Sequence, residues 1–177
     1  MVVVAGLDAS ARAVAAGALL PDLPIFAFYA FESLRGVGEA TIWGERYYAP
    51  AWQAFLHLPN SFPLLALGGS IGWCWKKPGL CLLFGSMALH TLFDFPFHHD
   101  DGHRHFWPFS EFRFNSPVSY WDPAHYGDWM IGLEFILVLA LSACILRRHP
   151  QVGARIAAGI AAAAWGAGWL YARWVWA

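Results

Sequence analysis

Charge is scarce in this chain. Charged side chains make up 13% of its 177 residues while 58% are hydrophobic; a soluble domain carries roughly 25% charged residues. A fold so short of charge cannot cover a water-facing surface, whereas lipid covers much of the exterior of a membrane fold. No run of like charge is long enough to act as a tail, and a net charge of -1 gives nucleic acid no footing, so none is expected among the partners. Cysteine is scarce too. Cys74, Cys81 and Cys144 are odd in number, lack CxxC spacing and sit in or beside apolar stretches; they read as small buried hydrophobes rather than redox or ligand residues. No internal repeat is evident, and MVVVAGLDASARAVAAGALL has no positive region ahead of its first apolar run, so it reads as retained rather than as a signal peptide.

What is abundant is apolar sequence in long stretches. A bilayer span takes about 20 mostly apolar residues. Stretches at roughly 13–31, 55–75, 80–97, 129–146 and 152–174 qualify, which predicts an all-α fold: a single integral-membrane domain, residues 1–177, built as a polytopic bundle of about five helices in a lipid bilayer. The first stretch is interrupted by Pro21-Asp22-Leu23-Pro24, and the second carries His57, Asn60 and Pro63. The last is rich in Ala and Gly at helical spacing, which suits packing against another membrane protein. Segment 32–52 and the long loop 98–128 are polar enough to lie outside the hydrocarbon, and the loop is too aromatic to read as disordered. Lys76-Lys77 and Arg147-Arg148 with Arg155 mark two short turns as cytoplasmic, which puts both polar segments on the outer face; Arg35, Arg46, Arg104 and Arg113 on that face run against the rule.

Six of the eight histidines fall between residues 90 and 125, in company with Asp94, Asp100, Asp101 and Asp122. His90 and Asp94 stand four apart on a predicted span and so share a helix face. Ionisable groups at that depth are costly and mark cavities or partners. Asp22 lies in the broken first span, which runs in the same direction, so the three can meet. Imidazole with carboxylate is the ligand chemistry of Zn²⁺ foremost, with Mn²⁺ or Fe²⁺ as alternatives. The expected ligands are Asp22, His90 and Asp94, supplemented by His98 or His99, with His103 and His105 for a second ion or an anionic substrate. Asp100 or Asp101 is the expected general base. Blander readings stand beside these. A single intramembrane histidine is often a helix–helix hydrogen-bonding group, the HHDD run also has a reading as a solvated turn, and an aspartate between prolines also serves as a helix cap. His57 and His149 read as ordinary polar or interfacial residues.

The segment GALLPDLP followed by LHTLFDFPFHHDDGHRHFWPFS resembles the bacterial family of membrane-bound metal-dependent hydrolases, small polytopic inner-membrane proteins. The family's G-x-L-x-P-D motif matches residues 17–22, its H-x-x-x-D motif matches His90 and Asp94, and its W-P-F/L-S element matches Trp107, Pro108, Phe109 and Ser110. The stretch 17–127 is also similar to a subgroup sometimes labelled as cobalamin-biosynthesis proteins, a label for which the residues offer no chemistry. The resemblance implies Asp22, His90 and Asp94 as metal ligands and a location in the bacterial inner membrane. One departure is plain: the family's histidine near the N-terminus, in a T/S-H pattern, is missing from MVVVAGLDASARAV. The expected function is a metal-dependent membrane hydrolase acting on an ester or phosphoester near the headgroups. The alternative is a non-catalytic, metal-stapled subunit or assembly factor of a larger complex.

Overall fold

A computed structural model describes residues 9–120, 122–148 and 152–176. The N-terminal segment through Asp8, Trp121 and His149 lie outside the described residues. The described residues are helical, with no strand among them. They divide into two compact units: one comprises Ala9–Pro96 together with Asp100–Asn115, the other Phe97–His99 together with the described residues from Ser116 onward.

The first unit opens with α1 (Ala9–Leu19) and α2 (Leu23–Leu34), which are bent by 53° at the break between them. The cause is local. Proline lacks an amide proton and disfavours helical geometry in the residue before it, and Pro21 and Pro24 bracket the break. A short helix, α3 (Glu39–Thr41), and a π turn over Ile42–Arg46 follow, then α4 (Pro50–His57), α5 (Phe62–Cys74) and α6 (Pro78–Asp94). Segment 32–52, expected as a polar stretch, folds into a small aromatic core of Phe28, Ile42, Tyr47 and Leu56, flanked by Trp43 and Trp52. Two of its acids, Glu32 and Glu39, turn toward this core, while Glu45 is exposed. Glu32 accepts from the Trp52 indole at 2.9 Å, and Glu39 accepts from Tyr29 Oη at 2.6 Å and the Trp43 indole at 2.9 Å.

α1 lies on α6 at very close range. A Cβ added to Gly17 would stand 2.4 Å from the Leu83 carbonyl oxygen, and Ser86 Oγ donates to the Val14 carbonyl at 2.8 Å. α5 and α6 form a hairpin in which Gly68 receives the Phe84 ring and Gly72 receives Leu80. The stretch expected as one span over 55–75 is interrupted. A 3-10 turn at Leu58–Asn60 separates α4 from α5, because Pro59 and Pro63 both withhold an amide donor. The 13 residues of α5 reach only about 20 Å at 1.5 Å per residue.

In the second unit, Ser116 N–H donates to the His98 carbonyl at 2.9 Å and Tyr120 N–H to the Phe97 carbonyl at 3.0 Å. α7 (Gly127–Arg148) starts behind a turn capped by Asp122 and pairs with α8 (Val152–Trp176), where Phe135 and Trp165 stack with ring centroids 4.8 Å apart. Among the described residues, Pro78–Phe97 and Gly127–Arg148 are each long and apolar enough to cross a membrane, and the bent pair α1–α2 makes a third if taken as one span.

Candidate functional site

The break between α1 and α2 is where a sequence-predicted pair meets. Asp22 Oδ1 lies 3.4 Å from His90 Nε2 on α6. The charge of Asp94, one turn further along α6, and the carbonyl of Ala18 also act on the imidazole. A buried polar network holds the break against α6. Asn60 Nδ2 donates to the Pro21 carbonyl at 3.2 Å and to the Leu56 carbonyl at 3.1 Å, while Thr91 Oγ1 donates to Asn60 Oδ1 at 3.4 Å. Broken backbone at membrane depth survives only where its polar groups are satisfied, and Asn60 does that for Pro21. Asn60 and Thr91 are the residues that sequence reasoning passed over as supports. Their signal was an amide and a hydroxyl in apolar stretches, each needing a buried partner.

The chemistry of this pair can be tested against a metal. At 3.4 Å the two groups are in ion-pair reach, and a hydrogen bond with Asp22 is the main influence on the imidazole. Two ligands about 2.0–2.1 Å from one tetrahedral ion stand roughly 3.3 Å apart. The imidazole and carboxylate are donor types that a divalent cation takes. They are two donors: among the described residues no three His, Cys, Asp or Glu side chains converge as a metal cage.

The histidines of the loop divide between other surroundings. His105, 2% exposed, packs edge-on to Phe95 and stacks on Phe62, with centroids at 4.8 and 5.6 Å. His103 stands edge-on to His57 at 5.6 Å. His57 is fully buried and sits against two cationic residues: Arg113 Nη2 is 3.3 Å from its Nε2, and Arg104 N–H donates to its Nδ1 at 3.4 Å. Burial first, then the charges of Arg113 and Arg104, push its pKa from 6.5 down to about 3, so the ring is neutral. Arg113 is fixed by the Gly102 carbonyl and by Gln53 Oε1, each at 2.5 Å, and Arg104 pairs with Glu111. Burial lowers the Arg113 pKa, and the neighbouring Arg104 adds to that.

Asp101 offers its carbonyl to Tyr47 Oη at 2.9 Å, and Asp100 is exposed. Burial pushes the Tyr47 phenol well above its ordinary range; Asp101 adds to this, and Asp94 contributes more weakly. Tyr47 therefore senses both carboxylates.

In the second unit His99 Nδ1 faces the Ser116 carbonyl at 2.7 Å and His125 Nδ1 faces Asp122 Oδ2 at 2.5 Å. Each contact assigns the ring proton to Nδ1, because a carbonyl or carboxylate oxygen only accepts. The two rings stack 3.6 Å apart. The bond to His125 and the Ala124 amide hold the Asp122 carboxyl below its ordinary range. His98 packs edge-on to Tyr120.

Among known proteins, no family model, no curated protein and no solved structure matches the chain.

Proposed function

We propose that this chain is a multi-pass protein of the bacterial inner membrane, with about five spans, and a metal-dependent hydrolase centred on Asp22 and His90. The observation that carries the reading is the 3.4 Å approach of Asp22 Oδ1 to His90 Nε2, groups 68 residues apart in the chain (90 − 22 = 68). A carboxylate and an imidazole brought this near are donor types that one divalent ion takes. Asp22 and His90 would hold a divalent cation, Zn²⁺ foremost, with Mn²⁺ or Fe²⁺ as alternatives. A bound cation of this kind supplies polarisation of the scissile carbonyl or phosphoryl oxygen and a more acidic water.

The chain's own residues supply the rest. The Asn60–Thr91 network fixes the break so that Asp22 stays opposite α6. Proton handling falls to Asp94 or to the Asp100–Asp101 pair. Asp94 and Asp101 are the carboxylates that both reach Tyr47 electrostatically. In the reaction the water oxygen bonds to the ester carbon or phosphorus, and the bond to the leaving oxygen breaks. A carboxylate takes the proton from water and returns it to that oxygen.

The test is elemental analysis of the detergent-purified protein beside the His90→Ala, Asp94→Ala double variant, followed by ester and phosphoester screening. Near-stoichiometric metal in the parent, absent from the variant, with hydrolysis of one substrate class, is the expected result. Absence of metal from both after loading ends the hydrolase reading. It would move the assignment to a non-catalytic subunit packing through α8, where the Cα positions of Gly159, Gly166 and Gly168 face open space.

A further inference from the structure

Beside the Asp22–His90 pair lies an apolar groove of about 410 Å³, bounded by residues of the α1–α2 break, α4, the 3-10 turn, α5 and α6. Leu20 and Leu23 bracket Asp22 in the chain, and Met87 lies one turn before His90. These three line the groove together with Phe55, Leu58 and Phe84, and no lining residue has a polar side chain. Its size falls within the roughly 300–1,000 Å³ of small-molecule sites. Leu23, Phe55 and Leu58 are 57%, 45% and 55% exposed, so the groove opens sideways rather than being sealed in a core.

We infer that this groove holds the acyl chain of a membrane lipid and presents its acyl ester to Asp22 and His90; the inference rests on the hydrolase reading for the fate of that ester, though not for the binding itself. Three observations select this occupant. Phe84 and Met87 belong to a helix long and apolar enough to cross a membrane, and lipid chains are the apolar molecules at that depth. Its lining includes Leu20 and Leu23, on either side of Asp22 in the chain, and Met87, one turn before His90, so ionisable groups are near neighbours of its apolar walls. The groups acting on His90 are Asp22, Asp94 and the Ala18 carbonyl, all electronegative. Leu23, Phe55 and Leu58 are each about half exposed along the groove, so an acyl chain can enter it from the side, with these electronegative groups beyond its apolar walls.

Photo-crosslinking of the full chain tests this. The protein is reconstituted in phosphatidylcholine and phosphatidylglycerol vesicles containing a phosphatidylcholine tracer with a diazirine in its acyl chain. Adducts are then mapped by mass spectrometry. The expected result is several-fold higher labelling of Leu23, Phe55 and Leu58 than of Leu137 and Ile145 on α7. Ala27→Trp, which fills the groove from α2, should bring groove labelling down to the α7 level and leave α7 unchanged. Leu58→Trp serves the same purpose if the first variant does not fold. Equal labelling of groove and α7 in the parent would reduce the groove to ordinary lipid contact and overturn the inference. So would undiminished groove labelling in a folded tryptophan variant. His90→Ala should label like the parent. Groove labelling in a protein that binds no metal would therefore retain the acyl-chain site and remove the hydrolase.

Discussion

His57 sits where an imidazole must stay uncharged. Its two ring nitrogens face a guanidinium and a backbone N–H, both donors, and a neutral ring can accept at only one nitrogen. A proton added to the ring would face the charges of Arg113 and Arg104. The folded pKa of about 3 lies below the ordinary 6.5. Between these values the unfolded chain binds a proton that the folded chain refuses, so stability present above pH 6.5 is lost as pH falls toward 3. Thermal melts in detergent, followed by tryptophan fluorescence, should show the melting temperature dropping between pH 7.5 and 4.5. In His57→Gln that drop should shrink, since the substituted side chain does not titrate. An equal drop in both proteins would remove His57 as the cause. The sequence named His57 but read it as an ordinary polar or interfacial residue. Nothing local announces that Arg104 and Arg113, roughly fifty residues away, close over it.

At the scale of elements, proline positions were the most legible feature. Pro21 and Pro24 announced the broken first span, and the break is where they placed it. Pro59 and Pro63 were equally visible, yet hydropathy averaged across them, and the 55–75 stretch separates into α4, a 3-10 turn and α5. The aromatic core of segment 32–52 was not legible, because it depends on Glu32 and Glu39 finding indole and phenol donors. Loss of charge to buried hydrogen bonds is a tertiary event that composition cannot register. The contact of α1 with α6 yields a prediction at this scale. Gly17→Ala would set a methyl 2.4 Å from a backbone oxygen and 2.7 Å from Ser86 Cβ. Neither neighbour is the end of a flexible side chain, so α1 must move, at a cost of about 1–3 kcal/mol. A lower melting temperature and reduced metal content are expected together, since α1 leads directly into Asp22. An unchanged melting temperature would show that the two helices separate freely.

For the whole molecule, the run HHDDGHRH was expected to supply an added ligand, a base and a second-ion or substrate site close together, because its residues are neighbours in sequence. The fold distributes them. His99 lies against His125, His105 against Phe62 and Phe95, and His103 beside His57. Irregular backbone sends successive side chains to different partners, and no helical or strand period was available to sort them. Of the expected Asp22, His90 and Asp94, the structure brings Asp22 to His90, while among the described residues no three such side chains converge. Topology can be tested on the first unit alone. Ser61, which donates to the Trp107 carbonyl, marks one end of α5, and Lys77 follows the other. With the three native cysteines replaced, Phe109→Cys should react with an impermeant maleimide on intact cells, and Lys77→Cys only in inverted vesicles. Labelling of both from one side would mean that α5 does not carry the chain across the membrane.

The glycine that opens the G-x-L-x-P-D run now has a physical role distinct from that of the aspartate that closes it. Gly17 bears no reactive group, yet it is among the positions with the least room in the chain, as is Gly68 beneath the Phe84 ring. Under random mutation and selection, such positions tolerate less than Gly38 or Gly44, where an added Cβ meets nothing within 4 Å. A pattern of invariance in descendants of this sequence would therefore trace where helices touch as well as where chemistry occurs, and a short motif can be inherited for its fit alone.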